Sequence, residues 1–100
     1  MKIITICGSL KFKKTMMEEA ERLELLGNCV LTPIYPTKEN YTKEEIKKFN
    51  ELHFAKIKLS NAIYVVNVEG YIGKQTQKEI IFAKENKKEI IYFDNSKNTL

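Results

Sequence analysis

Glu79 is the residue of this sequence with the clearest capacity for chemistry, and its surroundings allow two interpretations. It follows Thr76 by three residues, which is the spacing of a capping box that closes the first turn of a helix. A carboxylate at a helix start is also favoured in its ionised form by the helix dipole. An ionised, fixed carboxylate can attack an anomeric carbon. The spacing alone favours the cap, because Thr42 and Glu45 repeat the same box elsewhere.

The tetrapeptide GSLK, residues 8–11, is a second candidate for chemistry. Gly8 allows a sharp turn of the backbone, while Ser9 and the amides of a following helix can hold an anion. Lys11 adds a positive charge. The segment matches neither the dinucleotide-binding glycine pattern nor a Walker loop. A structural role is the alternative, in which Ser9 caps the helix and Lys11 is solvated, and the tetrapeptide leaves both open.

The chain offers few side chains of the kinds that bind metals. His53 is the only histidine and stands on an apolar helical stripe, where such a residue usually belongs to the core. If it faces a ligand crevice instead, it becomes a donor or an acid–base group. Cys7 and Cys29 lie in apolar strand-like runs and are expected to be buried free thiols. Because no CxxC spacing occurs and His53 is the only histidine, the sequence predicts no zinc site. We expect no metal and no cofactor.

Composition and charge limit the class of protein. One hundred residues, 43% of them hydrophobic, predict a single domain spanning residues 1–100. The net charge of +4 comes almost entirely from dispersed lysines, with Arg22 the only arginine. No nucleic-acid polymer is therefore expected, although a mild positive field favours an anionic small molecule such as a nucleotide. The first apolar run is too short for a signal peptide or a membrane span, so we expect no membrane partner and a cytoplasmic location.

The order of the elements predicts how these residues come together. Apolar runs at residues 2–7, 29–31, 62–66 and 89–93 predict strands, and helical spacing predicts a helix in each interval, the last over about residues 76–85. Alternating apolar strands and helices indicate an α/β class, with a small doubly wound parallel sheet in the order 2-1-3-4. A ligand would then lie between strands one and three, where residues 8–11 and residues 67–75 converge.

Four segments together resemble one known family. They are GSLKF at residues 8–12, LHFAKIKLSNAIYVVN at 52–67, GYIG at 70–73 and TQKEI at 76–80. Their order and spacing are similar to those of short members of the nucleoside 2-deoxyribosyltransferase superfamily, which also contains deoxynucleoside 5′-monophosphate N-glycosidases. The resemblance extends over nearly the whole chain. It implies a flavodoxin-like, Rossmann-like sheet and either hydrolysis or transfer at an N-glycosidic bond of a nucleoside or nucleotide.

The resemblance also implies roles for particular residues. Thr76, Glu79 and Ala83 match the family pattern GTxxELGxA, in which the glutamate is the nucleophile. Lys11 stands where the monophosphate hydrolases place a basic residue that helps to bind phosphate. His53 is a candidate acid for the departing base. The predicted substrate-binding residues are Gly8, Ser9, Lys11, Asn67, Gly70, Tyr71, Gly73 and Thr76.

Some positions depart from the family. His53, Asn61 and Gly73 stand where relatives often carry acidic residues, and Gln75 replaces the glycine of the pattern. These departures keep a second hypothesis open, in which the domain binds a nucleotide without cleaving it, as a sensor or a partner subunit. A flavodoxin-like response or electron-transfer protein is a weaker alternative. Family members are usually dimers or larger, so a homo-oligomer is expected.

Overall fold

The computed structural model describes residues 1–95, and its centre is a four-stranded sheet in which every strand pair is parallel. The strand order is β2-β1-β3-β4, as the sequence predicts, and the class is α/β, consistent with a flavodoxin-like fold. The strands are β1 (Ile3–Gly8), β2 (Cys29–Leu31), β3 (Ala62–Val66) and β4 (Glu89–Tyr92).

Three α-helices connect the strands, again as the sequence predicts. They are α1 (Lys13–Leu25), α2 (Lys43–Leu59) and α3 (Lys74–Glu85), and short 3-10 turns occupy Leu10–Phe12 and Val68–Gly70. The predicted capping box of α2 is confirmed, since Thr42 and Glu45 bond each other's backbone N–H groups at 3.0 and 2.9 Å. None of these helices is long and apolar enough to cross a bilayer.

The sheet carries an apolar core on each face, which explains why the strands are mostly apolar. On one face, α1 packs over a cluster formed by Ile4, Ile6, Met16, Leu23, Ala62, Tyr64 and Val66. On the other face, α2 and α3 pack over Cys7, Ile57, Ile63, Val65, Ile80 and Ala83. Every residue of β3 is buried. Cys7 therefore belongs to the face that carries both α2 and α3.

The winding of the chain reverses between β1 and β3. Their last residues, Gly8 and Val66, are paired in register, so the two chains leave the sheet side by side. A side chain at position 8 would be crowded there, because a Cβ atom would lie 3.1 Å from the carbonyl oxygen of Val66 and a neighbouring atom would have to shift. The glycine thus permits close approach of two backbones at the edge where a ligand is expected.

The opposite edge of the sheet, at the amino ends of the strands, is closed by hydrogen bonds. Asn61 accepts a bond from the Ile3 backbone N–H at 2.7 Å, and its own N–H donates to the Ile3 carbonyl at 2.8 Å. Asn61 is thus remote from the carboxyl ends of β1 and β3. Cys7 and Cys29 are both free, but the predicted burial of Cys29 is wrong, because this thiol on β2 is exposed.

Candidate active site

A pocket of about 510 Å³ opens at the carboxyl ends of β1 and β3. This volume lies in the range of small-molecule sites, and the position is the switch point of a doubly wound sheet. Four parts of the chain line it: the turn after β1, the connection between β2 and α2, one face of α2, and the first turns of α3. The lining residues are Gly8, Ser9, Leu10, Pro33, Ile34, Pro36, Tyr41, Ile46, Phe49, Asn50, His53, Gly73, Lys74, Gln75, Thr76 and Glu79.

One wall of the pocket is apolar and aromatic, and none of the motifs in the sequence pointed to it. The segment after β2 contributes Pro33, Ile34 and Pro36, and the rings of Tyr41 and Phe49 meet edge to face at 5.6 Å. Phe49 lies four residues before His53 on the same helical stripe, yet it is 37% exposed. The signal in the sequence was the pair of prolines directly after the second strand, because they mark a loop at the carboxyl end of a strand, where ligands of such sheets lie.

The connection between β2 and α2 is attached to the helix by one lysine. The Lys56 ammonium donates a hydrogen bond to the Thr32 carbonyl at 2.8 Å. Lys56 stands on α2 three residues after His53, so the same helix turn holds the apolar wall and presents the histidine. The wall and His53 are therefore fixed to the same helix.

The other side of the pocket is polar and is formed largely by the start of α3. Within the described residues, α3 has Gly73 as its N-cap and no side-chain hydrogen bond at that position. The first-turn amides of Lys74, Gln75 and Thr76 have no intrahelical acceptors, and these residues line the pocket. The cap interpretation of Thr76 and Glu79 is wrong, because α3 begins two residues before Thr76. This helix start presents donors suited to an anion.

Glu79, the sixth residue of α3 counting from Lys74, contributes a buried carboxyl group to the pocket. The residue is 6% exposed. Burial raises the pKa of Glu79 to about 7, and hydrogen bonds with Cys7 and Gln75 offset this only in part. The helix dipole was expected to favour the ionised carboxylate, but it does not offset the effect of burial on the pKa, since the dipole acts mainly within the first turn. The carboxyl group thus changes charge near neutral pH rather than staying ionised.

His53 and Cys7 pack against this carboxyl group. His53 Nε2 lies 3.7 Å from Glu79 Oε1 and 3.5 Å from Cys7 Sγ. Burial, with a smaller contribution from the charge of Lys56, lowers the pKa of His53 to about 4, so the imidazole is neutral at pH 7. Burial, and then the nearby Glu79, raises the pKa of the Cys7 thiol well above its ordinary value.

The three side chains do not form a nucleophile–base–acid relay. In such a relay the imidazole uses one nitrogen for the nucleophile and the other for the carboxylate. Here Nε2 of His53 faces both Cys7 and Glu79, and Nδ1 has no hydrogen-bond partner among residues 1–95. Cys7 is also fully buried and does not line the pocket, so a thiol nucleophile is excluded by position.

The structure brings together half of the substrate-binding residues that the sequence singles out. Gly8, Ser9, Gly73 and Thr76 line the pocket together with His53 and Glu79. The Ser9 hydroxyl accepts a 3.4 Å bond from the Lys11 N–H, as a cap of the short turn at Leu10–Phe12. Lys11 itself does not line the pocket, because its ammonium lies 3.3 Å from the ring centre of Tyr71.

The remaining predicted residues lie outside the pocket lining. The Tyr71 ring packs edge to face on Phe12 at 5.8 Å and is 46% exposed. The Asn67 side chain is buried and exchanges two hydrogen bonds with the backbone of Asp94, at 2.8 and 2.9 Å. Gly70 lies in a tight turn with a φ of 82°. These contacts indicate that residues 67–71, between β3 and Gly73, stabilise the fold and do not contact a ligand in the pocket.

Comparison with models of known protein families found no match for this chain, and comparison with curated proteins found no similar sequence. The fold and the site therefore define its class by themselves. The chain is an α/β domain with a doubly wound parallel sheet and a pocket at the switch point. One wall of that pocket suits a flat apolar group, and the other suits an anion beside a buried carboxyl group.

Proposed function

We propose that the protein cleaves the N-glycosidic bond of a nucleoside or nucleoside 5′-monophosphate, with Glu79 as the nucleophile. One observation carries the proposal: Glu79 is the only acidic side chain among the described residues that line the pocket. Glycosidic bonds break through a transition state that resembles an oxocarbenium ion, which a nearby carboxylate stabilises and traps. Water as acceptor gives hydrolysis, and a second base gives transfer.

The two sides of the pocket support this substrate class. The wall formed by Tyr41, Phe49 and the prolines offers flat apolar surface for a nucleobase, as aromatic side chains commonly do. The uncapped start of α3 offers backbone donors and the Lys74 side chain for a 5′-phosphate. In this proposal α3 takes the phosphate-binding role that the resemblance assigns to Lys11, because Lys11 is held on Tyr71.

The neutral state of His53 changes the role proposed for it. A pKa of about 4 argues against His53 as the acid that protonates the departing base at neutral pH. Its Nε2 atom instead lies beside the Glu79 carboxyl group and can orient it. We therefore propose that His53 positions the nucleophile.

The decisive experiment combines a panel of nucleosides and nucleotides with chromatography of the released base. We expect base release from the wild type and a loss of about 10³-fold or more in Glu79→Gln, since this change removes the nucleophile and keeps the shape of the side chain. The matched control is Glu19→Gln, which replaces a carboxylate on the opposite face of the sheet. Base release should rise with pH through about 7, because only the ionised Glu79 attacks. Unchanged turnover in Glu79→Gln would refute the proposal.

A nucleotide-binding module without catalysis is the second candidate, and the raised pKa of Glu79 favours it. A protonated carboxyl group donates a hydrogen bond, so Glu79 could recognise a ligand without attacking it. Under this alternative, nucleotides raise the melting temperature of the wild type while no free base appears. Ligand-induced stabilisation should then weaken as the pH rises above 7.

Self-association of the chain is a further part of the proposal. Leu52 and Leu59 on α2 are 55% and 71% exposed, and Ile34 beside the pocket is 55% exposed. Apolar side chains spaced along one helix favour burial against another molecule. Light scattering of the wild type and of Leu52→Lys tests whether a homo-oligomer forms through this surface.

A further inference from the structure

We propose that Cys7, His53 and Glu79 form a zinc-binding site at the floor of the pocket, with a fourth coordination position open to the pocket. The three residues come from β1, α2 and α3, so no local sequence spacing could reveal them. Their potential ligand atoms all lie within 4.8 Å of one another, and all three residues are buried. The proposal stands independently of the proposed glycosidase activity.

Two of the three distances between the ligand atoms are close to those around a tetrahedral ion. With zinc bonds of about 2.3 Å to sulfur and about 2.0 Å to nitrogen and oxygen, neighbouring ligand atoms lie about 3.3–3.5 Å apart. Here Cys7 Sγ and His53 Nε2 are 3.5 Å apart, and His53 Nε2 and Glu79 Oε1 are 3.7 Å apart. Cys7 Sγ and a Glu79 carboxylate oxygen lie within 4.8 Å of each other, so bringing this third pair to ligand spacing takes a shift of about 1.3 Å at most.

The charges and the ligand types select the ion. A thiolate from Cys7 and a carboxylate from Glu79 together neutralise a divalent cation in a buried place, and a neutral imidazole is already in its ligating form. Sulfur and imidazole ligands favour zinc over magnesium and calcium, which prefer oxygen. Nδ1 of His53 has no partner among residues 1–95, so the outer support typical of tight sites is missing. We expect weaker affinity than that of a four-ligand structural site.

The position of the three residues determines how an ion reaches the site and what its binding does to Glu79. His53 and Glu79 line the pocket, and Cys7 lies behind them, so an ion entering through the pocket meets all three. Binding releases the proton of the Cys7 thiol, and the proton of Glu79 where it is still held, to solvent. A bound ion would occupy Glu79 and leave its open position facing the ligand space. If the proposed reaction is correct, zinc inhibits it.

Titration of the reduced, metal-free full chain with Co²⁺ tests the site directly. Co²⁺ takes the place of zinc and shows a thiolate-to-metal absorption band only when a cysteine sulfur binds it. We expect one equivalent of Co²⁺ to produce this band, and Zn²⁺ but not Mg²⁺ to abolish it. Cys7→Ala should lose the band, whereas Cys29→Ala, which removes the exposed thiol, should keep it.

Two further variants keep the test decisive. If Cys7→Ala does not fold, as judged by circular dichroism, Cys7→Ser retains the size of the side chain while removing the sulfur ligand. His53→Leu should weaken Co²⁺ binding at least tenfold, in line with the loss of one of three ligands. The absence of a band in the wild type, or its persistence in the Cys7 variants, overturns the proposal. Neither result depends on whether base release occurs.

Discussion

Two carboxyl groups lie on opposite faces of the same sheet, and their surroundings affect them in opposite ways. Glu19 on α1 accepts hydrogen bonds from Arg22 at 2.9 Å and from the Tyr64 hydroxyl at 2.7 Å. Burial alone would raise the pKa of Glu19, but these two partners outweigh it and leave the pKa below its ordinary value. Glu79 has no cationic partner of this kind among the described residues, and burial raises its pKa to about 7.

The difference separates a structural carboxylate from a candidate functional one. The chain uses its single arginine beside Glu19, and there the ionised carboxylate stabilises the fold. Beside Glu79 it places a neutral histidine and a thiol, which leave the charged form poorly compensated. A fold keeps such an arrangement at a cost in stability, and perturbed titrating groups in a pocket are typical of functional sites.

The largest effect that can test this contrast is the pH dependence of stability in Glu79→Gln. The folded-state pKa of Glu79 is about 7 against an ordinary 4.5, so the wild type loses stability as the pH rises through this window. We expect Glu79→Gln to gain about 3 kcal/mol relative to the wild type between pH 4 and pH 8. Urea denaturation at a series of pH values measures this.

The matched variant Glu19→Gln should behave in the opposite way. Because the pKa of Glu19 is lowered, its carboxylate stabilises the fold above its ordinary pKa, and this stability is lost as the pH falls. We expect Glu19→Gln to cost about 1–2 kcal/mol at pH 7 and less in acid. If the two variants followed the same pH dependence, the contrast between the faces would fail.

A smaller effect distinguishes the partners of the two carboxyl groups. Tyr64→Phe removes one of the donors to Glu19, and we expect it to cost about 1–1.5 kcal/mol of unfolding free energy. His53→Leu removes a ring whose Nδ1 atom has no partner among residues 1–95, so its cost should stay below about 1 kcal/mol. Paired urea melts at pH 6 measure both, and a larger loss for His53→Leu would show that the histidine is structural.

The smallest effect concerns the pKa of His53, whose signal is unique because it is the only histidine. After burial, the charge of Lys56 is the second cause of its lowered pKa. We expect Lys56→Met to raise the pKa of His53 by less than about one unit, as judged by nuclear magnetic resonance titration. The control is Lys58→Met, on the same helix and exposed, which should leave the titration unchanged. An equal shift in both variants would contradict a local effect.

The fold could be predicted because its signals are local. The run from Ala62 to Val66 is apolar throughout, and the structure shows β3 over those residues. The Thr42–Glu45 box marks the start of α2. Alternation of such segments leaves few topologies, since parallel crossovers are right-handed. The predicted capping box of Thr76 and Glu79 is wrong, because the N-cap of α3 is Gly73, a residue without a capping side chain, and the helix begins earlier.

The site could be predicted only in outline. Ser9, Gly73 and Glu79 follow from the rule that ligands lie at the carboxyl ends of strands, and all three line the pocket. The titration of Glu79, in contrast, depends on burial by elements that are distant in sequence. The position of Lys11 likewise depends on where the Tyr71 ring lies in space. Contacts between residues that are distant in the sequence produce no periodic pattern, so they could not be predicted from a single sequence.

The hydrogen bond from Lys56 to the Thr32 carbonyl affects how a ligand binds in the pocket. Pro33 and Pro36 fix two backbone torsions in the same stretch, and the lysine ties its start to a helix. This segment therefore loses little conformational entropy when a ligand binds. The affinity should depend on the preorganised shape of the pocket and not on closure of a loop. Rigid planar ligands should therefore bind most tightly against the apolar wall.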